Sequence, residues 1–200
     1  ADLVFYNGLG LEHGPSLLEL IKSHPHSVSV GDSIQVRFPE LILYEQSQID
    51  PHIWMDISLW EKALPLLEEE LIVELPQERS TIEIAREKLS HEMLKEHSDI
   101  IHRMSSYPSK RRYLVTSHDA FNYFTRAYLA TDLERSKKKW KYRVAAPEGL
   151  SPESSLSVTD IQFIIEYVIL HNVSTLFPET NVSRSSIQKI LDVAQEKGIP

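Results

Sequence analysis

The chain has 200 residues, 42% of them hydrophobic and 25% charged, an ordinary globular composition with room for one large domain or two small ones. A formal net charge of -8 makes non-specific nucleic-acid binding a poor default, and no apolar run approaches the roughly 20 residues needed to cross a bilayer. Cysteine is absent, which excludes disulfides, thiolate metal sites and cysteine nucleophiles, so any transition metal must be held by His, Asp or Glu.

Residues 3–6 form a short apolar run that reads as a buried parallel strand, broken by Asn7-Gly8-Leu9-Gly10. The chain opens directly in this strand, with nothing resembling a signal peptide, as a processed exported protein also would. Residues 15–22 predict a helix faced by Leu17, Leu18, Leu20 and Ile21. Residues 26–30 predict a second strand ended by Gly31-Asp32, and residues 32–48, which lack a clear period, predict loop. Asp50-Pro51 reads as a helix start, Asp capping and Pro at the first helical position. That helix is expected to run through Trp54, Ile57, Leu59 and Trp60 towards Leu75, kinked or divided at Pro65.

Residues 77–104 carry one long amphipathic pattern on Ile82, Ala85, Leu89, Met93, Ile100, Ile101 and Met104, without Gly or Pro. Such a helix is on the order of 40 Å long, more than one small α/β layer requires. His91 and His97 fall on its polar face and read as solvated. His24 and His26, flanking a proline in a turn, have no nameable partner. Beyond the long helix, strands are predicted at 112–116, 142–146 and 175–177, and helices at 119–129, 158–170 and 185–197. The basic run 135–143, with four lysines around Trp140, reads as a solvated connector. The expected fold class is α/β, with two Rossmann-like lobes bridged by one long α-helix. Residues 1–75 are assigned to part of the N-terminal lobe, 76–108 to the interdomain helix and 109–200 to a C-terminal lobe lacking its last strand.

Three stretches could carry chemistry. Asp50-Pro51-His52-Ile53-Trp54-Met55-Asp56 puts an imidazole in the first turn of a helix; a surface histidine in a good helix start has the same pattern. Thr116-Ser117-His118-Asp119 puts another beyond the carboxyl end of a strand, where ligands gather in open parallel sheets, or at a turn whose Asp119 caps the next helix. Phe177-Pro178-Glu179 ends a further strand with a carboxylate. Two imidazoles and a carboxylate make a plausible partial coordination set for Zn, Mn or Fe. A serine hydrolase fits poorly, because adjacent Ser117 and His118 cannot easily face each other and no Gly-x-Ser-x-Gly turn exists. Phosphate-loop, dinucleotide and His-Glu-x-x-His patterns are also missing.

The stretch Asp50-Pro-His-Ile-Trp-Met-Asp56 resembles the Asp-Pro-His-x-Trp signature of the cluster A-I solute-binding proteins of metal ABC transporters. Four further stretches resemble the same family, and in particular its chlamydial branch: Ala1-Asp-Leu-Val-Phe-Tyr-Asn-Gly-Leu-Gly-Leu-Glu12, Thr116-Ser-His-Asp-Ala-Phe121, Glu148-Gly-Leu-Ser-Pro-Glu-Ser154 and Phe177-Pro-Glu179. The resemblance implies a periplasmic or extracytoplasmic protein that captures iron, manganese or zinc between its lobes and delivers it to a membrane permease. Membrane association would come only through that permease or a lost N-terminal anchor. It implies His52 and His118 as metal ligands and Glu179 as a nearby carboxylate, with the family's first histidine and last aspartate expected upstream of Ala1 and downstream of Pro200. The chain is therefore expected to be a central portion, truncated at both ends, with an incomplete site and weak metal binding. No histidine-rich loop is visible, which favours iron or manganese over zinc. A metal-dependent hydrolase using the same histidines, or a surface adhesin on the same fold, are the alternatives.

Overall fold

The structure, a computed structural model, describes residues 2–45, 47–150, 157–178 and 185–196. The chain divides into two compact units, Ala1–Asp99 and Ile100–Pro200. Charge divides with them. The first unit has 7 Lys and Arg against 19 Asp and Glu, net -12; the second has 14 against 10, net +4. Among the described residues, no helix is long and apolar enough to cross a membrane.

In the first unit, strand β1 (Val4–Tyr6) pairs in parallel with β2 (Ser27–Ser29), joined by helix α1 (Pro15–Ser23). The second strand is shorter than expected, and Val30, Gly31 and Asp32 belong to a helix, α2 (Val30–Arg37). Ser29 caps that helix by accepting from the Asp32 N–H, which turns the chain one residue before the glycine that suggested a strand end. The predicted loop over 32–48 is thus largely structured: α2, a 3-10 turn at Pro39–Leu41, and an antiparallel pair of β3 (Tyr44–Glu45) with β4 (Gln48–Ile49).

The helix expected from Asp50 does not start there. A 3-10 turn, Ile53–Met55, comes first, then α3 (Ile57–Trp60), a second 3-10 turn, and α4 (Leu64–Glu74) with Pro65 in its first turn. The capping residue is Asp56, whose carboxylate accepts from Ser58 and Leu59 N–H. Ile34, Ile53, Leu59 and Ala63 are almost wholly buried and centre the first unit's core.

Helix α5 (Arg79–Ser105) has 27 residues and none is buried. The amphipathic reading therefore needs correction. Ala85, Leu89 and Ile101 are exposed, while the half-buried stripe is Ile82, Arg86, Ser90, Met93, His97, Ile100 and Met104. Part of that stripe is polar because the first unit meets it with carboxylates. Arg86 lies 3.3 Å from Glu68, Ser90 donates to Glu61 at 2.6 Å, and His97 Nδ1 stands 3.7 Å from Asp56, so His97 is not solvated. His26 also has a partner, Glu74 at 3.0 Å.

The second unit repeats the parallel pairing with β5 (Leu114–Val115) and β6 (Val144–Ala145). The strand predicted at 175–177 is reduced to a single bridge between Phe177 and Thr116. Residues 119–129 give a shorter helical stretch, α6 (Asn122–Phe124), continuing as a π-helical turn over Thr125–Leu129. Asp119 does not cap it; Phe121 occupies that position. Helices α7 (Asp132–Ser136), α8 (Val158–His171) and α9 (Ser185–Glu196) complete the unit. Its core joins Val115 and Ala145 to Ile164, Ile165 and Val168 of α8 and to Ile187 and Ile190 of α9.

The basic run is no mere connector. Trp140 and Arg143 are buried, and Arg143 donates to Glu134 at 2.6 Å and to the carbonyls of Ser109 and Arg112. Its lysines 137–139 and 141 remain exposed.

Candidate metal centre

In the first unit, β4 leads into the segment that carries His52. Asp50 N–H donates to the Leu43 carbonyl at 2.9 Å, so the β3–β4 pairing continues one residue beyond the strands and fixes the residue that follows. Asp50 is completely buried, an expensive place for a carboxylate without donors. Two of its donors come from His52: the backbone N–H at 3.0 Å and ring Nδ1 at 2.7 Å. A carboxylate only accepts, so in the neutral ring Nδ1 carries the proton and Nε2 keeps its lone pair. This is the arrangement in which a carboxylate orients a metal-binding imidazole. The sequence reading gave Asp50 a capping role and missed this one. The only signal was the two-residue spacing of carboxylate and imidazole.

His52 is itself buried, its ring set edge-on to Trp54 with centroids 5.3 Å apart. Asn7, in the turn after β1, donates through Nδ2 to the Pro51 carbonyl at 3.1 Å, immediately before His52.

In the second unit, His118 is also buried and stands three residues beyond the end of β5. Its carbonyl accepts from Thr116 Oγ1 at 2.8 Å and from Ala120 N–H at 2.9 Å, a tight turn that reverses the chain before α6. His118 bridges in parallel to Glu148, and Asp119 N–H donates to the Gly149 carbonyl at 3.1 Å. Glu148 is a buried carboxylate on the neighbouring strand end, noticed in the sequence only as part of a loop motif. Glu179 lies outside the described residues.

His52 and His118 therefore belong to different units, each buried at the end of a strand pairing. Among the described residues, no group of three or more His, Asp or Glu side chains gathers to hold an ion.

Residues 1–199 match the family model of the periplasmic zinc-uptake complex component A, ZnuA. The chain is 40% identical over 189 residues to the metal-binding protein YtgA of Chlamydia pneumoniae, an alignment covering 94% of this chain and 58% of that protein. It is 27% identical over 199 residues to the zinc-binding protein TroA of Treponema pallidum, covering 99% of this chain and 60% of TroA. A crystal structure of Fe(III)-bound YtgA from Chlamydia trachomatis superposes with a TM-score of 0.91 at 36% identity, over 96% of this chain and 67% of that one. The chain thus spans about three fifths of the length of these curated relatives.

Proposed function

Since the chain belongs to the zinc-uptake complex component A family, we propose that it serves as the solute-binding component of an ABC-type importer, capturing a divalent transition metal and presenting it to a membrane permease. The observation that carries this reading is the buried Asp50–His52 pair, which presents Nε2 of a fixed tautomer as a donor. His118 is the second ligand, from the turn after β5. Glu148 pairs with His118 across a parallel bridge, and Glu179 is the further carboxylate that the family resemblance adds.

Imidazole donors without thiolates suit zinc and iron, and carboxylates added to them suit manganese. A relative solved with Fe(III) bound and another named for zinc fit this breadth. The cargo is bound and released unchanged, so affinity and ligand geometry set performance. A hydrolase would need a carboxylate base beside an open metal position, and no motif in the sequence supplies one.

The test is isothermal titration of the full-length protein with Zn(II), Mn(II) and Fe(II), alongside His52→Ala and His118→Ala. Each variant is expected to lose at least a factor of ten in affinity for the metal that binds the wild type most tightly. Wild-type affinity in both variants sinks the ligand assignment, and absence of any binding by the wild type sinks the function.

A further inference from the structure

The turn after β1 is built more tightly than a surface turn needs. Glu12 folds back over it, its carboxylate accepting from the N–H of Asn7 at 2.8 Å and of Gly8 at 3.0 Å. Asp32, at the start of α2, accepts from the Leu9 N–H at 3.1 Å. The Gly31 N–H donates to the Asn7 carbonyl at 2.7 Å. Three consecutive N–H groups of the turn and one of its carbonyls are thus fixed from outside it.

Steric constraints reinforce the bonds. Gly8 has φ +73°, and a Cβ there would stand 1.9 Å from Ser29 Oγ. A Cβ on Gly31 would stand 2.5 Å from the Asn7 carbonyl oxygen. Only glycine fits at either position without displacing the turn.

What this framework holds still is the Asn7 side chain. Its Nδ2 lies 3.0 Å from the Gly8 carbonyl and 3.1 Å from the Pro51 carbonyl. Both neighbours are acceptors, so the amide nitrogen must face them, because the opposite assignment would set oxygen against two oxygens. The Pro51 carbonyl belongs to the peptide linking Pro51 to His52. Pro51 has no N–H of its own, so its carbonyl is its only main-chain hydrogen-bonding group. It also accepts from Ile53 N–H at 2.9 Å. Asp50 orients the ring of His52 from one side, and Asn7 restrains its backbone from the other.

We propose that Asn7 is a positioning residue for the metal ligand His52, with Glu12 and Gly31 holding the Asn7 turn in register. The proposal rests on the reading of His52 as a ligand. Asn7 touches no metal; it sets where the imidazole can go. Groups that orient a ligand in this way typically cost 10–100-fold in metal affinity when removed.

The experiment uses the full-length protein with Co(II) as probe, whose visible spectrum reports ligand geometry, and Zn(II) for affinity. Asn7→Asp is nearly isosteric but sets a carboxylate against two carbonyl oxygens; Asn7→Ala removes the donor without adding charge. Both are expected to weaken Zn(II) binding by about 10–100-fold and to alter the Co(II) spectrum. Gly31→Ala, which displaces the Asn7 carbonyl and leaves the amide chemically intact, is expected to change the Co(II) spectrum in the same direction.

The metal-free melting temperature separates positioning from simple loss of fold. A variant that melts lower yet binds Zn(II) with wild-type affinity and an unchanged Co(II) spectrum overturns the proposal. If Asn7→Asp does not fold, Asn7→Ala and Gly31→Ala carry the test. His52→Ala is the reference: where it loses metal and the Asn7 variants do not, only the positioning role falls. Where His52→Ala keeps wild-type affinity, the ligand reading falls and the Asn7 proposal with it.

Discussion

A carboxylate can be stabilised by its neighbours in quite different ways, and two residues here illustrate it. Asp50 is fully buried with His52 as a donor, so Asp50→Asn keeps the shape while offering an amide whose nitrogen can face the ring instead of accepting from it. Zn(II) affinity is expected to fall by about 10–100-fold, with the metal-free protein still folded by circular dichroism. Glu134 is a partly covered surface acid. Burial pushes its pKa up, but the Arg143 guanidinium and the Thr131 backbone and hydroxyl donors outweigh that, holding it at about 2 against an ordinary 4.5. A depressed folded-state pKa contributes stability that is complete above the unfolded value and is lost as pH falls through the folded one. The Glu134–Arg143 pair should therefore hold the second unit fully above about pH 4.5 and release it towards pH 2. Glu134→Gln is expected to lower the neutral-pH melting temperature and to flatten the acid side of the stability profile over that window. An unchanged acid limb would show that other carboxylates control it. Both roles were hard to read beforehand, because they depend on partners: Asp50 looked like a cap, and Arg143 like one more solvated charge in a basic run.

At the scale of elements, what the sequence announced and what it concealed follow from period and length. Helices α1, α5, α8 and α9 were placed to within a few residues, because each carries enough turns for a pattern to accumulate. Helix α2 was hidden by Gly31, a residue normally poor in helices, whose presence is required by the approach of the Asn7 carbonyl. That contact is tertiary and has no local trace. The covered stripe of α5 was misread for a related reason. Apolar residues were assumed to face inward, whereas Arg86, Ser90 and His97 meet carboxylates of the first unit. The two candidate imidazoles were named from motif resemblance, but nothing in the sequence set Asp50 or the half-buried Asn7 beside His52, or the buried Glu148 beside His118. Caps give the cleanest element-scale test. Ser157 and Asp160 form a reciprocal capping box on α8, and its hydrogen bonds hold the Asp160 carboxyl below its usual range. Ser157→Ala is expected to cost about 1 kcal/mol in chemical denaturation. A loss below a few tenths would mean that the tertiary packing of α8 alone fixes its start.

Over the whole molecule, the uneven charge matters more than its sum. A divalent cation approaching the first unit meets a net -12, and this raises its local concentration before any ligand bond forms. The association rate of Zn(II) is expected to fall as sodium chloride rises from 20 to about 150 mM, since the screening length shortens to about 8 Å. The dissociation rate, set by ligand bonds, should change little; a salt effect confined to dissociation would remove steering from the account. The same division has a practical corollary. Recovered separately at neutral pH, the two halves would part on ion-exchange resins, the first held by an anion exchanger and the second by a cation exchanger. The behaviour of the intact chain on either column is thus an average that describes neither half.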